Sequence, residues 1–171
     1  MNFSIESAST SHLRAIPKIE QEAASMFSEA DLPLHIRYRV TDRRTLAEAQ
    51  REGRLWVALN ARQQVVGFAH ACIIDEQAHL DEMDMLPDYG RRGIGTGLVQ
   101  VVEAWAHDEG FDELTLITFR HLPWNAPFYA KLGFEVVGDE DLGEEMHDLL
   151  QQEAQAGLKI ANRVCMRKVI A

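Results

Sequence analysis

A glycine-rich segment in the middle of the chain has the residue types that bind phosphate groups. Gly90, Gly93 and Gly95 follow a predicted strand and lead into a predicted helix. Backbone amides at a helix N-terminus bind anionic oxygens, and glycine lets a ligand approach without a side chain in the way. Arg91 and Arg92 add positive charge here, although the chain as a whole carries a formal charge of −10. Local cations in an acidic chain predict an anionic ligand at this loop.

The spacing of the glycines argues against two common phosphate-binding motifs. A P-loop requires Gly-Lys followed by Ser or Thr, which the sequence lacks, and a dinucleotide fingerprint starting at Gly93 or Gly95 lacks its third glycine. The loop also comes midway along the chain, after several predicted antiparallel strands. The pattern therefore favours the pyrophosphate of coenzyme A, and a glycine turn without a ligand is the structural alternative.

Two carboxylates lie on the predicted strand 79–85, directly before the glycine loop. Glu82 and Asp84 are two residues apart, and alternation along a strand predicts that they share a face with Leu80. Paired carboxylates raise each other's pKa, which suits a general base near neutral pH. The opposite face is predicted to carry the remaining side chains, Asp81, Met83 and Met85.

Hydrophobic periodicity predicts a mixed α/β fold in one domain over residues 1–171. The predicted strands are 3–7, 55–59, 65–74, 79–85, 114–119, 134–137 and 164–169. The predicted helices begin near residues 12, 45, 93, 125 and 141. The strand before the glycine loop, the helix after it and the next strand form a right-handed parallel crossover.

The first predicted helix has one apolar stripe and an internal proline. Pro17 lies about two turns into this helix, where a proline bends the helix axis. The stripe consists of Leu13, Ile16, Ile19, Ala23 and Met26.

Composition excludes several classes of protein. With 46% hydrophobic and 26% charged residues, the 171-residue chain has the balance of a soluble globular domain. No apolar run approaches the ~20 residues that span a bilayer, and the first residues do not have the pattern of a secretory signal. Cys72 and Cys165 are predicted to be free thiols in the cytoplasm, and no metal site is predicted. The acidic charge argues against nucleic-acid partners and mildly favours a cationic substrate.

Two blocks of the sequence resemble the GNAT N-acyltransferase superfamily. The family's loop pattern, Gln/Arg-x-x-Gly-x-Gly/Ala, aligns with residues 90–95, although Gly90 replaces the first Gln or Arg. This departure removes one side chain but leaves the backbone amides. The second block, residues 124–134, contains Asn125, Tyr129 and Gly133 in a loose form of the family's second motif. Two blocks in this order are more specific than either one alone.

The resemblance implies an acetyl-CoA-dependent transfer to a primary amine, in a fold whose parallel crossover lies at the coenzyme site. In this family the strand before the loop carries a bulge and pairs with the pantetheine arm, which implies that role for the backbone of Met83 and Met85. Asn125, Phe128 and Tyr129 would lie beside the coenzyme. The implied coenzyme-binding loop residues are Arg91, Arg92, Gly93, Ile94, Gly95, Thr96 and Gly97.

The chemistry requires a base, because an ammonium group has no free electron pair with which to attack a thioester. Glu82 is the first candidate, and Asp84 and His79 are the alternatives. Tyr129 matches the family's tyrosine and is the candidate acid for the departing thiolate, although it could serve packing alone. The N–H of Met83 is the candidate donor to the negative charge that develops on the acetyl oxygen.

The acceptor is predicted to be a small, cationic amine. The alternatives are a protein N-terminus or lysine, a non-catalytic acyl-CoA sensor, and a nucleotide-binding protein. Tyr129, in register within the second motif, argues against the last two. Sheet edges leave room for a homodimer, and no membrane partner is predicted. Candidate residues for an acceptor wall are Met26, Phe27, His35, Tyr38, Phe119, His121 and Trp124.

Overall fold

Seven strands form one mixed sheet at the centre of the molecule. A computed structural model describes residues 2–170, and the strands follow the order β1-β2-β3-β4-β5-β7-β6 across the sheet. β4 and β5 pair in parallel, and every other neighbouring pair is antiparallel. The strands are β1 (Phe3–Ser7), β2 (Leu55–Asn60), β3 (Val65–Ile74), β4 (Gln77–Met85), β5 (Glu113–Phe119), β6 (Glu135–Val136) and β7 (Arg163–Val169). The predicted mixed α/β fold is confirmed.

Helices cover both faces of the sheet. The helices are α1 (Ile16–Ala24), α2 (Leu34–Arg37), α3 (Arg43–Arg51), α4 (Ile94–Asp108), α5 (Ala126–Lys131) and α6 (Glu144–Ala156). Apolar residues of α1 and α3 pack on one face, against β2 and β3, whereas those of α4 pack on the other face, against β3, β4 and β5. No helix among residues 2–170 is both long and apolar enough to span a membrane.

The start of α1 differs from the prediction in a way that its proline explains. Residues Thr10–Ala15 form a 3-10 helix, and α1 begins only at Ile16, so that Pro17 lies in the first helical turn. A proline is tolerated there because the amide at that position has no helical acceptor. Met26 lies beyond the end of α1 and is exposed, so it is not part of the buried stripe.

A bulge in β4 changes which side chains share a face. The register pairs His70 with Glu82 and Ala71 with Leu80, so that Asp81 is the extra residue. A bulge inserts one residue and reverses the alternation beyond it. Leu80 therefore packs in the α4-side core, and the prediction that it shares a face with Glu82 and Asp84 was wrong.

The two parallel strands diverge beyond a short paired stretch. β4 and β5 pair only from Ala78 to Leu80 and from Leu114 to Leu116. β4 then continues to Met85 without β5 beside it. The predicted parallel crossover is confirmed, and the divergence leaves backbone groups of β4 facing an opening in the sheet.

The two cysteines are free and lie apart. Cys72 is on β3 and Cys165 on β7, with β4 and β5 between them. Burial raises the pKa of both thiols to about 12, so both remain protonated at neutral pH.

Candidate active site

A cavity of about 410 Å³ opens where β4 and β5 diverge. Its floor includes five consecutive residues of β4, residues 80–84, and its sides come from α1, the segment before α3, β5, α5 and Arg163 of β7. Glu82, Asp84, Met83, Tyr129 and Asn125 all line it. The structure thus brings the predicted base, acid and backbone donor together around one space.

Glu82 and Asp84 lie side by side on the floor of this cavity. Burial raises the pKa of Glu82, and the charge of Asp84 raises it further. Burial also raises the pKa of Asp84 to about 7, although a hydrogen bond with Glu82 opposes that shift. Two carboxyls in close contact cannot both ionise easily, so the pair holds a proton near neutral pH.

Tyr129 lies on α5 with its ring buried between two neighbouring aromatic rings. Its ring centroid is 5.0 Å from that of Phe128 and 5.7 Å from that of Phe134. Burial, together with the charges of Asp84 and Glu82, raises the pKa of the Tyr129 hydroxyl above its ordinary value. The hydroxyl therefore stays protonated and lies within electrostatic range of the carboxyl pair.

The glycine loop forms a concave run of backbone amides at the start of α4. Arg91 and Gly93 both have left-handed backbone conformations, with φ of 60° and 85°. The helical hydrogen bonds of α4 begin at Gly97, whose amide donates to the carbonyl oxygen of Gly93 at 3.0 Å. The amides of the three intervening residues, 94–96, have no helical acceptor. Left-handed residues next to a helix N-terminus form an anion-binding nest.

Space beside the loop is open at one glycine and filled at two others. A Cβ at Gly93 would meet only the ring of Phe3, at 4.0 Å. A Cβ at Gly95 would lie 3.1 Å from the Met85 side chain, and one at Gly97 would lie 2.5 Å from that of Ile5. Gly93 thus keeps the nest open, whereas Gly97 permits the close approach of α4 to β1.

Asn125 presents a polar atom that lacks a partner. Its side-chain oxygen is buried and has no hydrogen-bond partner among residues 2–170, although the residue lines the cavity. A buried acceptor without a donor is unfavourable by about 1–3 kcal/mol, so a ligand that supplies a donor would be stabilised here.

His79, the alternative base, lies outside the cavity lining and contacts Thr115. Its ring is buried, and Nδ1 lies 2.8 Å from the hydroxyl oxygen of Thr115. Burial lowers the pKa of His79 to about 4, which makes the ring neutral, and His79 does not line the cavity. The geometry favours the carboxyl pair over His79.

Aromatic rings form part of the cavity wall, and they include two of the seven residues proposed for the acceptor wall. Phe27 and Phe119 line the cavity, and their ring centroids are 5.2 Å apart. Trp124 contacts Phe27 edge-on at 5.9 Å, and His121 Nε2 lies 3.0 Å from Asp31 Oδ1, but neither residue lines the cavity. The other three candidates, Met26, His35 and Tyr38, do not line the cavity.

Sequence reasoning missed the charged residues of this wall. Glu20 of α1 is only 8% exposed and lines the cavity together with Thr41 and three arginines. One signal could have identified Glu20, since it lies four residues after Ile16, within the buried stripe of the helix. The arginines carry no such signal, because two of them lie in or just after the four-residue helix α2 and the third lies on a distant strand. They are Arg37, Arg39 and Arg163.

Comparison of the sequence with known proteins identifies a family and a relative. Residues 16–134 match the model of the acetyltransferase (GNAT) family. The peptidyl-lysine N-acetyltransferase YjaB of Escherichia coli is 36% identical over 96 residues, which span 54% of this chain and 59% of the relative. The matched stretch thus covers less than two thirds of that relative's length.

Two solved structures share the fold over nearly the whole chain. PaiA N-acetyltransferase of Thermoplasma acidophilum, in complex with coenzyme A, has a TM-score of 0.69 and 22% identity, with 99% of each chain covered. An acetyltransferase of the GNAT family from Staphylococcus aureus has a TM-score of 0.73 and 16% identity, with 99% of this chain and 100% of the other covered. Together with the family match, these likenesses agree with the mixed seven-stranded sheet. The chain therefore belongs to the GNAT acetyltransferase family.

Proposed function

We propose that the chain transfers an acetyl group from acetyl-CoA to a primary amine of a small, cationic acceptor. One observation carries the proposal: a carboxyl pair that holds a proton near neutral pH and a protonated tyrosine line the same cavity. That cavity lies at the point where β4 loses its parallel neighbour. Proton removal from the acceptor and proton donation to the departing thiolate can therefore take place in the same cavity.

The residues present fit coenzyme A. The open nest at Gly93, the helix amides without an acceptor and the unpartnered oxygen of Asn125 offer donors and an acceptor to a phosphorylated amide ligand. The coenzyme A in the Thermoplasma acidophilum structure supports the same ligand here. When bound, acetyl-CoA supplies the acetyl group as a thioester. The loop amides proposed to hold its pyrophosphate are those of Arg91, Arg92, Gly93, Ile94, Gly95 and Thr96.

Residues of β4 and α5 are proposed to hold the rest of the coenzyme. The backbone of Met83 and Met85 faces the opening between β4 and β5, where it can bond the amides of the pantetheine arm. Phe128 lies near Gly95 and would pack beside that arm. Because the Gly97 amide is already bonded to Gly93, Gly97 contributes close packing against β1 rather than a phosphate contact.

The carboxyl pair is proposed to take a proton from the acceptor's ammonium group. With an Asp84 pKa of about 7, the pair accepts a proton at neutral pH and still releases it to water afterwards. The N–H of Met83 donates a hydrogen bond to the acetyl oxygen as negative charge develops there. The Tyr129 hydroxyl, which stays protonated, donates its proton to the departing sulfur.

Charge in the cavity favours a cationic acceptor. Four carboxyl groups line it, whereas two of its three arginines are already engaged. Arg37 donates to the carbonyl oxygen of Phe27 at 2.6 Å, and Arg163 lies 2.7 Å from Glu153. An ammonium group is therefore better matched than an anion. The carboxyl groups are Glu20, Asp81, Glu82 and Asp84.

A peptide lysine is the second candidate acceptor. The name of the Escherichia coli relative, a peptidyl-lysine acetyltransferase, favours it. A lysine side chain carries the same ammonium group on an extended chain, so it suits the same acidic floor. The two acceptors differ in whether groups beyond the amine contribute to binding.

The first test is thermal unfolding with acetyl-CoA, ATP or NAD. A ligand at 100 times its Kd stabilises the folded state by roughly 2.7 kcal/mol, which raises Tm by several degrees. A shift with acetyl-CoA alone supports the coenzyme site. A larger shift with a nucleotide would contradict it.

The second test is thiol release from acetyl-CoA with a panel of amines. The panel contains diamines, monoamines, amino acids and a short lysine peptide with its acetyl-capped counterpart. Higher kcat/KM for a diamine than for the peptide supports the small acceptor, and the reverse order supports the peptide. Tight coenzyme binding without turnover on any amine would instead indicate the acyl-CoA sensor.

Tyr129→Phe tests the proposed acid. We expect kcat to fall by about 10- to 100-fold, because a positioned proton donor contributes that much or more. Acetyl-CoA affinity, measured by calorimetry, should stay within about twofold, since the aromatic packing is retained. An unchanged kcat would remove Tyr129 from the chemistry.

Some sequence-based expectations stay predictions. These are one functional domain over residues 1–171, a cytoplasmic location, and a homodimer formed through a sheet edge. Size-exclusion chromatography with light scattering would test the last of them.

A further inference from the structure

We propose that Glu20 is a positioning residue that fixes the acceptor-side wall of the cavity through Thr41. The inference rests on the proposed function, because it assigns a part of the acceptor site. Glu20 belongs to α1, whereas Thr41 ends the irregular segment that leads into α3. The chemistry assigned to Glu82, Asp84 and Tyr129 does not require the additional carboxyl group of Glu20.

Glu20 and Thr41 make a buried, multiple contact. The Thr41 backbone N–H lies 3.1 Å and 3.0 Å from the two carboxylate oxygens of Glu20. The Thr41 hydroxyl also donates to one of these oxygens. A carboxylate with two donors from one residue determines where that residue lies. Because Arg39 and Val40 directly precede Thr41 and line the cavity, the contact also fixes part of its wall.

Two other side-chain hydrogen bonds that join this segment to the rest of the molecule are exposed. His121 Nε2 lies 3.0 Å from Asp31 Oδ1, and His35 Nε2 lies 2.7 Å from the carbonyl oxygen of Ala156. Exposed hydrogen bonds compete with water and contribute little. Among these polar contacts, the one between Glu20 and Thr41 is therefore best placed to hold the wall against the sheet.

Glu20 also acts on the carboxyl pair through its charge. Burial raises the pKa of Glu20, and hydrogen bonds from Thr41 and the charge of His70 oppose that shift. The negative charge of Glu20 in turn raises the pKa of both Glu82 and Asp84. Other titratable or charged groups face Glu20 or share its cavity. They are His70, Asp81, Glu82, Asp84, Arg37, Arg39, Tyr129 and Arg163.

Three variants separate the two effects. Glu20→Gln removes the charge and weakens the contact, Thr41→Val removes only the hydroxyl donor, and Glu22→Gln makes the same charge change on an exposed part of α1. Glu22 is 3.5 Å from Lys18 and does not line the cavity, so it is a matched control.

The expected results differ among the variants. Glu20→Gln should raise the acceptor KM about fivefold or more, with kcat within about threefold, because hydrogen bonds to a charged carboxylate become weaker bonds to a neutral amide. It should also move the acid limb of the kcat/KM profile to lower pH by about 0.3 unit or more, since a negative charge near the pair is removed. Thr41→Val should raise KM without moving that limb, and Glu22→Gln should change neither.

Hydrogen exchange tests the contact without any need for turnover. In Glu20→Gln, amides of residues 36–42 should exchange faster, whereas those of α4 should not change. Faster exchange supports the contact even if the chain proves to have no transferase activity, so the two proposals fail separately. Unchanged exchange and KM would overturn the inference. So would a kcat loss above about 100-fold at unchanged KM, since Glu20 would then act on the reacting atoms.

Discussion

The proposed coenzyme site and the proposed acceptor side of the cavity are built from different parts of the chain. The backbone groups proposed to hold the coenzyme come from two neighbouring parts of the chain, Met83 and Met85 of β4 and residues 91–96 of the glycine loop. On the acceptor side, side chains come from α1, the segment after it, β5 and β7. Backbone amides bind their ligand whatever the neighbouring side chains are, provided that the chain can adopt the loop conformation. Side chains from several elements can change one at a time, which lets the acceptor vary while the coenzyme stays the same.

The carboxyl pair lies at the boundary of the two regions, and its removal should have the largest effect. Glu82→Gln should lower kcat/KM by about 10²- to 10⁴-fold, because the amide cannot accept the acceptor's proton. Acetyl-CoA affinity should stay unchanged, and the acid limb of the pH profile should flatten. Exposed Glu76 at the turn between β3 and β4 is the control, since Glu76→Gln makes the same charge change away from the cavity. A wild-type pH profile in Glu82→Gln would move the base assignment to Asp84.

The coenzyme side can be disrupted by one side chain placed in the loop. Gly93→Val should weaken acetyl-CoA binding by about 100-fold or more, because valine is strained at a positive φ and its side chain would enter the open nest. Gly110 ends the same helix with a φ of 84°, against 85° for Gly93, and a Cβ there meets nothing within 4 Å. Calorimetric titration with acetyl-CoA gives the two affinities.

The control separates backbone strain from loss of the site. Gly93→Val and Gly110→Val should each lower the free energy of unfolding by about 1–3 kcal/mol, since both impose the same strain. Only Gly93→Val should lose the coenzyme. Equal affinities in the two variants would mean that the loop does not hold the pyrophosphate.

The contrast between two neighbouring parts of the chain and several distant elements also explains how much could be predicted from the sequence. The glycine loop, β4 and α5 are local patterns, so their positions and the candidate residues Glu82, Asp84 and Tyr129 could be inferred before the fold was known. The strands of the sheet and its parallel crossover were predicted for the same reason. The position of the bulge was not, since the register that makes Asp81 the extra residue depends on pairing with β3.

The acceptor wall could be predicted only in part. Phe27 and Phe119 were among seven candidates, but nothing in the sequence brings Glu20 next to Thr41, because that contact spans 21 residues and two elements. Arg163 is farther still, and it reaches the wall only because β7 pairs beside β5. Contacts between distant segments depend on tertiary packing, for which a single sequence gives no direct signal.

The carboxyl pair should also make stability depend on pH. Because the Asp84 pKa is about 7 in the folded chain against 3.8 in an unfolded one, the folded state binds the proton more tightly. Stability from this group is present below the unfolded pKa and is lost as pH rises through the folded pKa. Between pH 5 and 8, that loss is roughly 2.5 kcal/mol.

Asp84→Asn removes this titration. The free energy of unfolding of the variant should fall by about 2.5 kcal/mol less than that of the wild type between pH 5 and pH 8, as measured by urea unfolding at both values. Asp88→Asn, in the exposed loop, should keep the wild-type dependence. An Asp84→Asn variant with the full wild-type dependence would show that Asp84 ionises normally, and the base would then need another source of a raised pKa.

The smallest expected effect lies on the acceptor side, where one ring is only part of the wall. Phe27→Ala should raise the acceptor KM by about three- to tenfold, because an aromatic contact contributes about 1 kcal/mol beyond its buried area. Acetyl-CoA affinity should not change, since Phe27 comes from the segment after α1 and lies apart from the glycine loop. Met26→Ala is the matched control, because Met26 is the preceding residue, is exposed, and does not line the cavity. If Phe27→Ala weakened coenzyme and acceptor binding equally, the two sides of the cavity would not be independent, and variation of the wall could not change the acceptor while leaving the coenzyme site intact.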